Sequence, residues 1–215
     1  MANRRYFFCT LLIAFIIFIA CLLMAGPMRA GLPVGGELAS RLHYIQANIV
    51  LWQLGWLTWM MSAVGLLLFA HLLATALTPS VWRQFALTLI GLGIIPDLSA
   101  ETLYALVLPM LAQQGSSLDT LQFVDQFAML LTGFLGNGLY NLGGLLLTLL
   151  LIKQHPKLAN WLYIGVVAWI LGLGLSVAIA LQQLAVAEIL TAASMALSTL
   201  WFVFIAYQLW GKADV

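Results

Sequence analysis

Two carboxylic acids one helical turn apart carry the strongest chemical signal in this sequence. They lie in Ile94-Ile95-Pro96-Asp97-Leu98-Ser99-Ala100-Glu101-Thr102-Leu103-Tyr104, near the centre of a long apolar segment. An ionised Asp at the centre of a membrane-spanning helix costs about 2.5–3.5 kcal/mol, so acids placed there point to function. The four-residue spacing puts Asp97 and Glu101 on one helix face, with Tyr104 on much the same stripe. Two carboxyls this close in a low dielectric do not both ionise cheaply, and the pair is expected to share a proton and to titrate as one unit. The pattern suits a general acid and base, a proton relay or a cation site. The alternative is a structural pair hydrogen-bonded to neighbouring helices.

A second polar pattern occurs in Gly133-Phe134-Leu135-Gly136-Asn137-Gly138-Leu139-Tyr140-Asn141-Leu142-Gly143-Gly144. Asn137 and Asn141 are again four apart, at the depth expected for the acids. The glycines permit close helix contact, as in small-residue interfaces in membranes. The expectation is that this segment packs on the acid-bearing one, with amide donors facing carboxyl acceptors. The Gly133–Gly144 face could equally meet a copy of the chain. A third group comprises Gln53, Asp125, Gln126, Gln182, Gln183 and Glu188, toward one end of the spans, where they could line a vestibule leading to Glu101. For Asp125 and Glu188, favourable placement near a helix N-terminus is the better reading. Gln53 stands beside Trp52, Trp56 and Trp59, an aromatic wall of the kind that more often packs in a core or against lipid.

Other chemistries lack their residues. His43, His71 and His155 fall at different depths, which disfavours a zinc or bis-histidine haem site. His71 alone could be an axial ligand, though a packing role fits it better. No lysine lies within a span, as a retinal Schiff base requires. Cys9 and Cys21 share the first apolar segment without metal-site spacing and read as packing residues. Ile19-Ala20-Cys21 has the look of a lipoprotein cleavage site, but the apolar run continues through Met24. No nucleophilic serine motif, Asp-Gly-x-x-Ala-Arg stretch, second Asp-rich motif, phosphate-binding loop or Cys-x-x-Cys accompanies the acids. The sequence fixes no cofactor.

The elements that must position these residues follow from hydropathy. Of 215 residues, 64% are hydrophobic and 7% charged, against about 25% charged in a typical soluble domain. At roughly 20 apolar residues per span, the chain predicts an all-α integral membrane protein: one domain over residues 1–215, a bundle of six transmembrane helices. The spans fall at about 6–24, 47–77, 84–111, 121–152, 158–181 and 186–210. An amphipathic turn is expected to begin near Glu37, ahead of the second span. Arg4-Arg5 and the run Tyr6–Met24 exceed a normal signal-peptide core and read as a retained first helix. Pro96 is expected to kink the third span and free a carbonyl near the acids.

Six spans place both termini on one side. Arg4, Arg5, Arg83, Lys153, Lys157 and Lys212 share that side, and Arg29 and Arg41 lie opposite, so the positive-inside rule makes the termini cytoplasmic in a cell inner membrane. Trp52, Trp82, Trp161 and Trp210 fall near span ends, where an aromatic belt sits. The eight basic residues are dispersed, with a net charge of +1, and no nucleic-acid partner is expected.

The leading expectation is a mid-membrane pocket that binds or transports a small lipophilic or weakly polar ligand, with proton coupling as an option. Its site would comprise Asp97, Glu101, Tyr104, Asn137, Asn141, Gln53 and Asp125. A lipid- or sterol-modifying acid/base enzyme could use the same acids. A non-catalytic subunit of a respiratory or photosynthetic membrane complex is the third class. Besides the bilayer and the ligand, a homodimer or larger membrane complex is the expected partner.

Overall fold

The structure, a computed structural model, describes residues 2–211. It is 89% helix, without strands among the described residues, and six helices are long and apolar enough to span a membrane. Helix α1 covers Ala2–Ala25. Two short 3-10 turns, Arg29–Gly31 and Pro33–Gly35, lead to α2, Leu38–Ala47. This is the expected short helix ahead of the second span, and Asn48 breaks it from α3, Ile49–Ala74. Then follow α4, Val81–Gln113, and α5, Leu118–Gln154. Helix α6 is Ala159–Ala180 and α7 is Leu184–Trp210.

Local chemistry sets the boundaries. Ser80 accepts a hydrogen bond from the Arg83 amide to cap α4, and Ser117 accepts one from Thr120 to cap α5; both satisfy otherwise free N–H groups at helix starts. At the far end of α5, the Gln154 side chain accepts from the Thr78 amide at 2.9 Å.

Sequential spans pack as neighbours, and α7 returns to α1 to close the ring. Tyr6 meets Trp210 edge-on at 6.1 Å and Phe7 meets Tyr207 at 5.0 Å, so both chain ends lie at one end of the bundle. That end is called the terminal end below. The loop after α1, the α4–α5 turn and the α6–α7 turn occupy the opposite end. Lys212, counted above with the terminal-end cations, lies outside the described residues.

The side-chain distribution is that of a multi-pass membrane protein. Outward faces carry Phe15 on α1, Leu57 and Val64 on α3, Ile95 on α4 and Ile170 on α6, all exposed, whereas Arg41, Asp97, Glu101, Asn137 and Asn141 are buried. In lipid, an apolar exterior is cheap and polar groups gain by meeting one another inside. Trp82 and Trp161 remain exposed near helix ends, but Trp52 and Trp210 are core residues. The belt expected of all four is therefore reduced to two, because span-end position does not determine whether a ring points outward.

Two large apolar clusters make up most of the interior, beside a small third of Ala178, Ile179 and Ala187. One, toward the terminal end, joins Phe69, Ile90, Ile94, Leu147, Trp169, Trp201 and Phe202. The other, toward the opposite end, joins Met28, Trp52, Trp56, Ala100, Tyr104 and Leu108. On α4 the first reaches Ile94 and the second begins at Ala100. Asp97 and Glu101 thus stand at their junction.

Candidate functional site

Close packing of α4 on α5 places the acids. A Cβ on Gly93 would lie 2.7 Å from the Gly136 carbonyl oxygen, and one on Gly136 would lie 2.9 Å from the Gly93 oxygen and 3.2 Å from the Asp97 Cβ. Only hydrogens fit between these backbones. Further along the seam, Gly143 meets the Ala86 carbonyl and Ile90 in the same way. The expected contact of these two helices is therefore present and built on glycine.

Asp97 lies 3% exposed and accepts a hydrogen bond from the Thr132 hydroxyl on α5. Glu101 is 0% exposed, and among the described residues nothing hydrogen-bonds to either of its carboxyl oxygens. Tyr140 packs at the same seam, within electrostatic reach of both acids. The two carboxyls therefore have unlike surroundings, one hydroxyl-bonded and one bare. Sequence reasoning missed Thr132 and Tyr140; the available signal was that both lie in or beside the glycine segment expected to face the acids.

The helices are also widened at this level. Residues Leu103–Val107 of α4 and Leu130–Gly136 of α5 form π-helical stretches. The first starts two residues after Glu101, and the second contains Thr132. Such segments open the helical hydrogen-bond ladder and recur at functional sites. Helix α4 stays continuous through Pro96, which removes the bond to the Leu92 carbonyl one turn before the acids.

The asparagines do not face the carboxyls. Asn137 donates through Nδ2 to the Gly172 carbonyl at 2.6 Å and the Ser176 hydroxyl at 2.8 Å, both on α6. Asn141 donates to the Asn137 carbonyl at 2.7 Å and its Oδ1 at 2.8 Å, and lies directly over Gly172. The Asn137 donors tie α5 to α6, and the Asn141 donors are spent within α5 on Asn137. The expected amide-to-carboxyl contact is replaced by the Thr132 hydroxyl, because α5 presents different faces to α4 and α6. The same packing uses up the glycine segment. Gly133 meets Ile179, Gly138 meets Ser176 and Gly144 meets the Trp169 ring, so these glycines pack within the chain.

Tyr104 likewise turns away from the acids. Its ring stacks on Trp56 with centroids 4.7 Å apart, and its hydroxyl donates to the Asp125 carbonyl oxygen at 3.1 Å. The Trp52 indole donates to the Tyr104 carbonyl at 2.7 Å. Trp52 and Trp56 are core rather than lipid-facing, and Gln53 beside them is half-buried.

Asp125 is not a helix cap, since α5 begins seven residues earlier at Leu118. Its carboxylate is gripped by Arg41 of α2, with Nη2 on Oδ1 at 2.6 Å and Nη1 on Oδ2 at 3.0 Å. The Arg41 Nε donates to the Gly31 carbonyl at 3.1 Å. Both side chains are buried, at 4% and 9% exposure. This two-pronged geometry is the strong form of a charged hydrogen bond. Glu188, also expected near a helix start, instead pairs with Arg29 at 2.8 Å on the surface. Gln126, Gln182 and Gln183 are exposed. Of the residues expected to line an open vestibule, Asp125 is thus held by Arg41, a residue the sequence used only to orient the bundle.

An apolar groove of about 370 Å³ between α1 and α3, lined by Cys9, Ile13, Met60 and Val64 among others, contains none of these polar residues. Among the described residues no three His, Cys, Asp or Glu side chains group as metal ligands. His71 is exposed on α3, with Nδ1 2.9 Å from the Leu67 carbonyl. No family model matches the chain, and no curated protein or solved structure is significantly similar to it.

Proposed function

We propose that the acid pair is the working site of a membrane protein that binds a small, weakly polar, lipophilic ligand within the bundle and moves it across the bilayer, with proton exchange at Asp97 and Glu101. The observation that carries this reading is Glu101, wholly buried with both carboxyl oxygens unpartnered. A buried polar group left without a partner is costly. A proton, or a donor group on a ligand, relieves that cost, so occupancy at this point is coupled to the stability of the bundle. The flanking π segments on α4 and α5 supply the adaptable backbone such a site uses.

In this reading the whole chain is one six-helix unit, and the terminal end faces the cytoplasm of a bacterial-type inner membrane. Arg4, Arg5, Arg83, Lys153 and Lys157 lie at that end without a neighbouring acid among the described residues. Arg29 and Arg41 at the other end are each paired with a carboxylate. The excess of free cations therefore falls on one side, as the positive-inside rule describes.

Native mass spectrometry of gently extracted protein tests the proposal. Wild type should retain a specific small-molecule mass, and the shape-conserving pair Asp97→Asn with Glu101→Gln should lose it while remaining folded by circular dichroism. Equal retention by both proteins, or none in either, rejects the acid pair as a ligand site. The unlike surroundings of the two acids favour one second reading, an isomerase-type enzyme in which one carboxyl donates a proton and the other accepts one. Its mark would be a chemically altered lipid after incubation with membrane extract.

A further inference from the structure

A second orphaned polar atom lies at the level of Glu101. The indole Nε1–H of Trp56 is buried and has no acceptor among the described residues. The bond from Trp52 to the Tyr104 carbonyl fixes the register of α3 against α4. The two helices run antiparallel, so one turn along α3 from Trp52 reaches Trp56, and one turn back along α4 from Tyr104 reaches Ala100 and Glu101. The Trp56 ring, stacked on Tyr104 with an interplanar angle of 10°, is held on the α4 side of α3. Trp56 and Glu101 do not bond each other, yet an unpartnered donor on α3 and two unpartnered acceptors on α4 each lie about one turn from the Trp52–Tyr104 bond, toward the terminal end.

We infer that the seam between α3 and α4 holds a hydroxyl-binding position, with Trp56 Nε1–H donating to the hydroxyl oxygen and Glu101 accepting its hydrogen. An indole only donates, and a carboxyl, with or without its proton, keeps an oxygen that accepts. A hydroxyl completes both at once. A carbonyl or ether would satisfy Trp56 and leave that Glu101 oxygen bare, whereas an ammonium would satisfy it and offer the indole no lone pair. The surrounding side chains, including Met60, Ala100 and Tyr104, belong to the apolar cluster toward the opposite end. The remainder of a bound molecule there is hydrocarbon, or the hydroxyl is that of a water. The inference rests on the proposed ligand site for its location and adds the chemical class of the group that occupies it.

Infrared difference spectra of the protein in lipid nanodiscs test this with decanol as the probe and decane as the control. Decanol should shift both a carboxyl C=O band and an indole N–H band in wild type, and decane should shift neither. Trp56→Phe keeps the ring stack on Tyr104 and should weaken half-saturation by about ten-fold, the order expected for one lost hydrogen bond. Glu101→Gln should remove the carboxyl response. If the hydroxyl is a resident water, decanol is silent, but exchange into heavy-oxygen water shifts an O–H band present in wild type and missing from both variants. A decanol response that both variants keep, or no response to either probe, overturns the inference. Asp97→Asn separates the two ideas, because keeping the retained ligand there while the Trp56 and Glu101 bands respond as in wild type would reject the wider acid-pair reading alone.

Discussion

Deleting Arg41 alone leaves the Asp125 carboxylate buried opposite nothing, whereas deleting both partners removes the charge from the interior altogether. These are different perturbations. Breaking one side of a buried pair costs about 3–5 kcal/mol, and replacing both sides with apolar residues of similar volume is often neutral. Arg41→Ala should therefore lower stability by that amount in equilibrium unfolding, and Arg41→Met with Asp125→Leu should recover most of it. A double variant as unstable as the single would mean that the Nε bond to Gly31, rather than the ion pair, holds α2 in place. Arg29→Gln should change stability by less than about 1 kcal/mol, since its pair with Glu188 is 54% and 40% exposed and solvent screens it. Neither pairing was legible from sequence. Arg41 and Asp125 are 84 positions apart and Arg29 and Glu188 are 159 apart, and local position suggested a helix-start role for the two acids and only a side of the membrane for the two arginines. The acids at Asp97 and Glu101 were legible because burial of a charge in a span is a one-residue signal that needs no partner to be noticed.

At the level of helices, hydropathy reports depth along an axis much better than rotation about it. The six spans fall within a few residues of the expected ones, because a run of apolar residues ends where charge and turn-forming residues begin. Helix α5 shows the limit of that signal. Its segment from Gly133 to Gly144 was correctly expected to touch α4, but Asn137 bonds to α6 and Asn141 bonds back to Asn137. A helix apolar on every side gives no stripe from which to read its facing. The π segments at Leu103–Val107 and Leu130–Gly136 were invisible for a related reason, since widening a turn leaves composition unchanged. Glycine contacts give this scale its test. Gly93→Ala places a methyl group 2.7 Å from the Gly136 carbonyl oxygen and 2.9 Å from the Tyr140 amide nitrogen. Both obstacles are backbone, so the seam must part, and overpacking of this kind costs about 1–3 kcal/mol. Gly91→Ala meets nothing within 4 Å and should instead stabilise by up to about 1 kcal/mol through helix propensity. Thermal unfolding of the two variants side by side checks the contrast, and similar melting points would mean that α4 and α5 do not approach as closely as described.

Across the whole molecule, the distribution of charge carries the proposed orientation of the bundle. The terminal end carries five cations among the described residues, and the opposite end carries two cations with Glu37, Asp119, Asp125 and Glu188. Moving the terminal end outward would carry every unpaired cation across the bilayer while leaving the paired ones inside, the reverse of the usual bias in loop charge. The orientation also fixes the direction of the site, since Arg41 and Asp125 would then seal the bundle from the outer side and Glu101 would lie beneath them. Cysteine accessibility in intact cells reads this directly. In a background with Cys9→Ser and Cys21→Ser, Gln114→Cys lies exposed in the α4–α5 turn and Asn160→Cys lies exposed at the start of α6. A membrane-impermeant maleimide should label the first in intact cells and the second only after permeabilisation. The opposite pattern would invert the topology, and with it the side from which Arg41 guards the acids. Labelling of both in intact cells would contradict the placement of these two turns at opposite ends of a spanning bundle, a placement the closure of α7 on α1 otherwise requires.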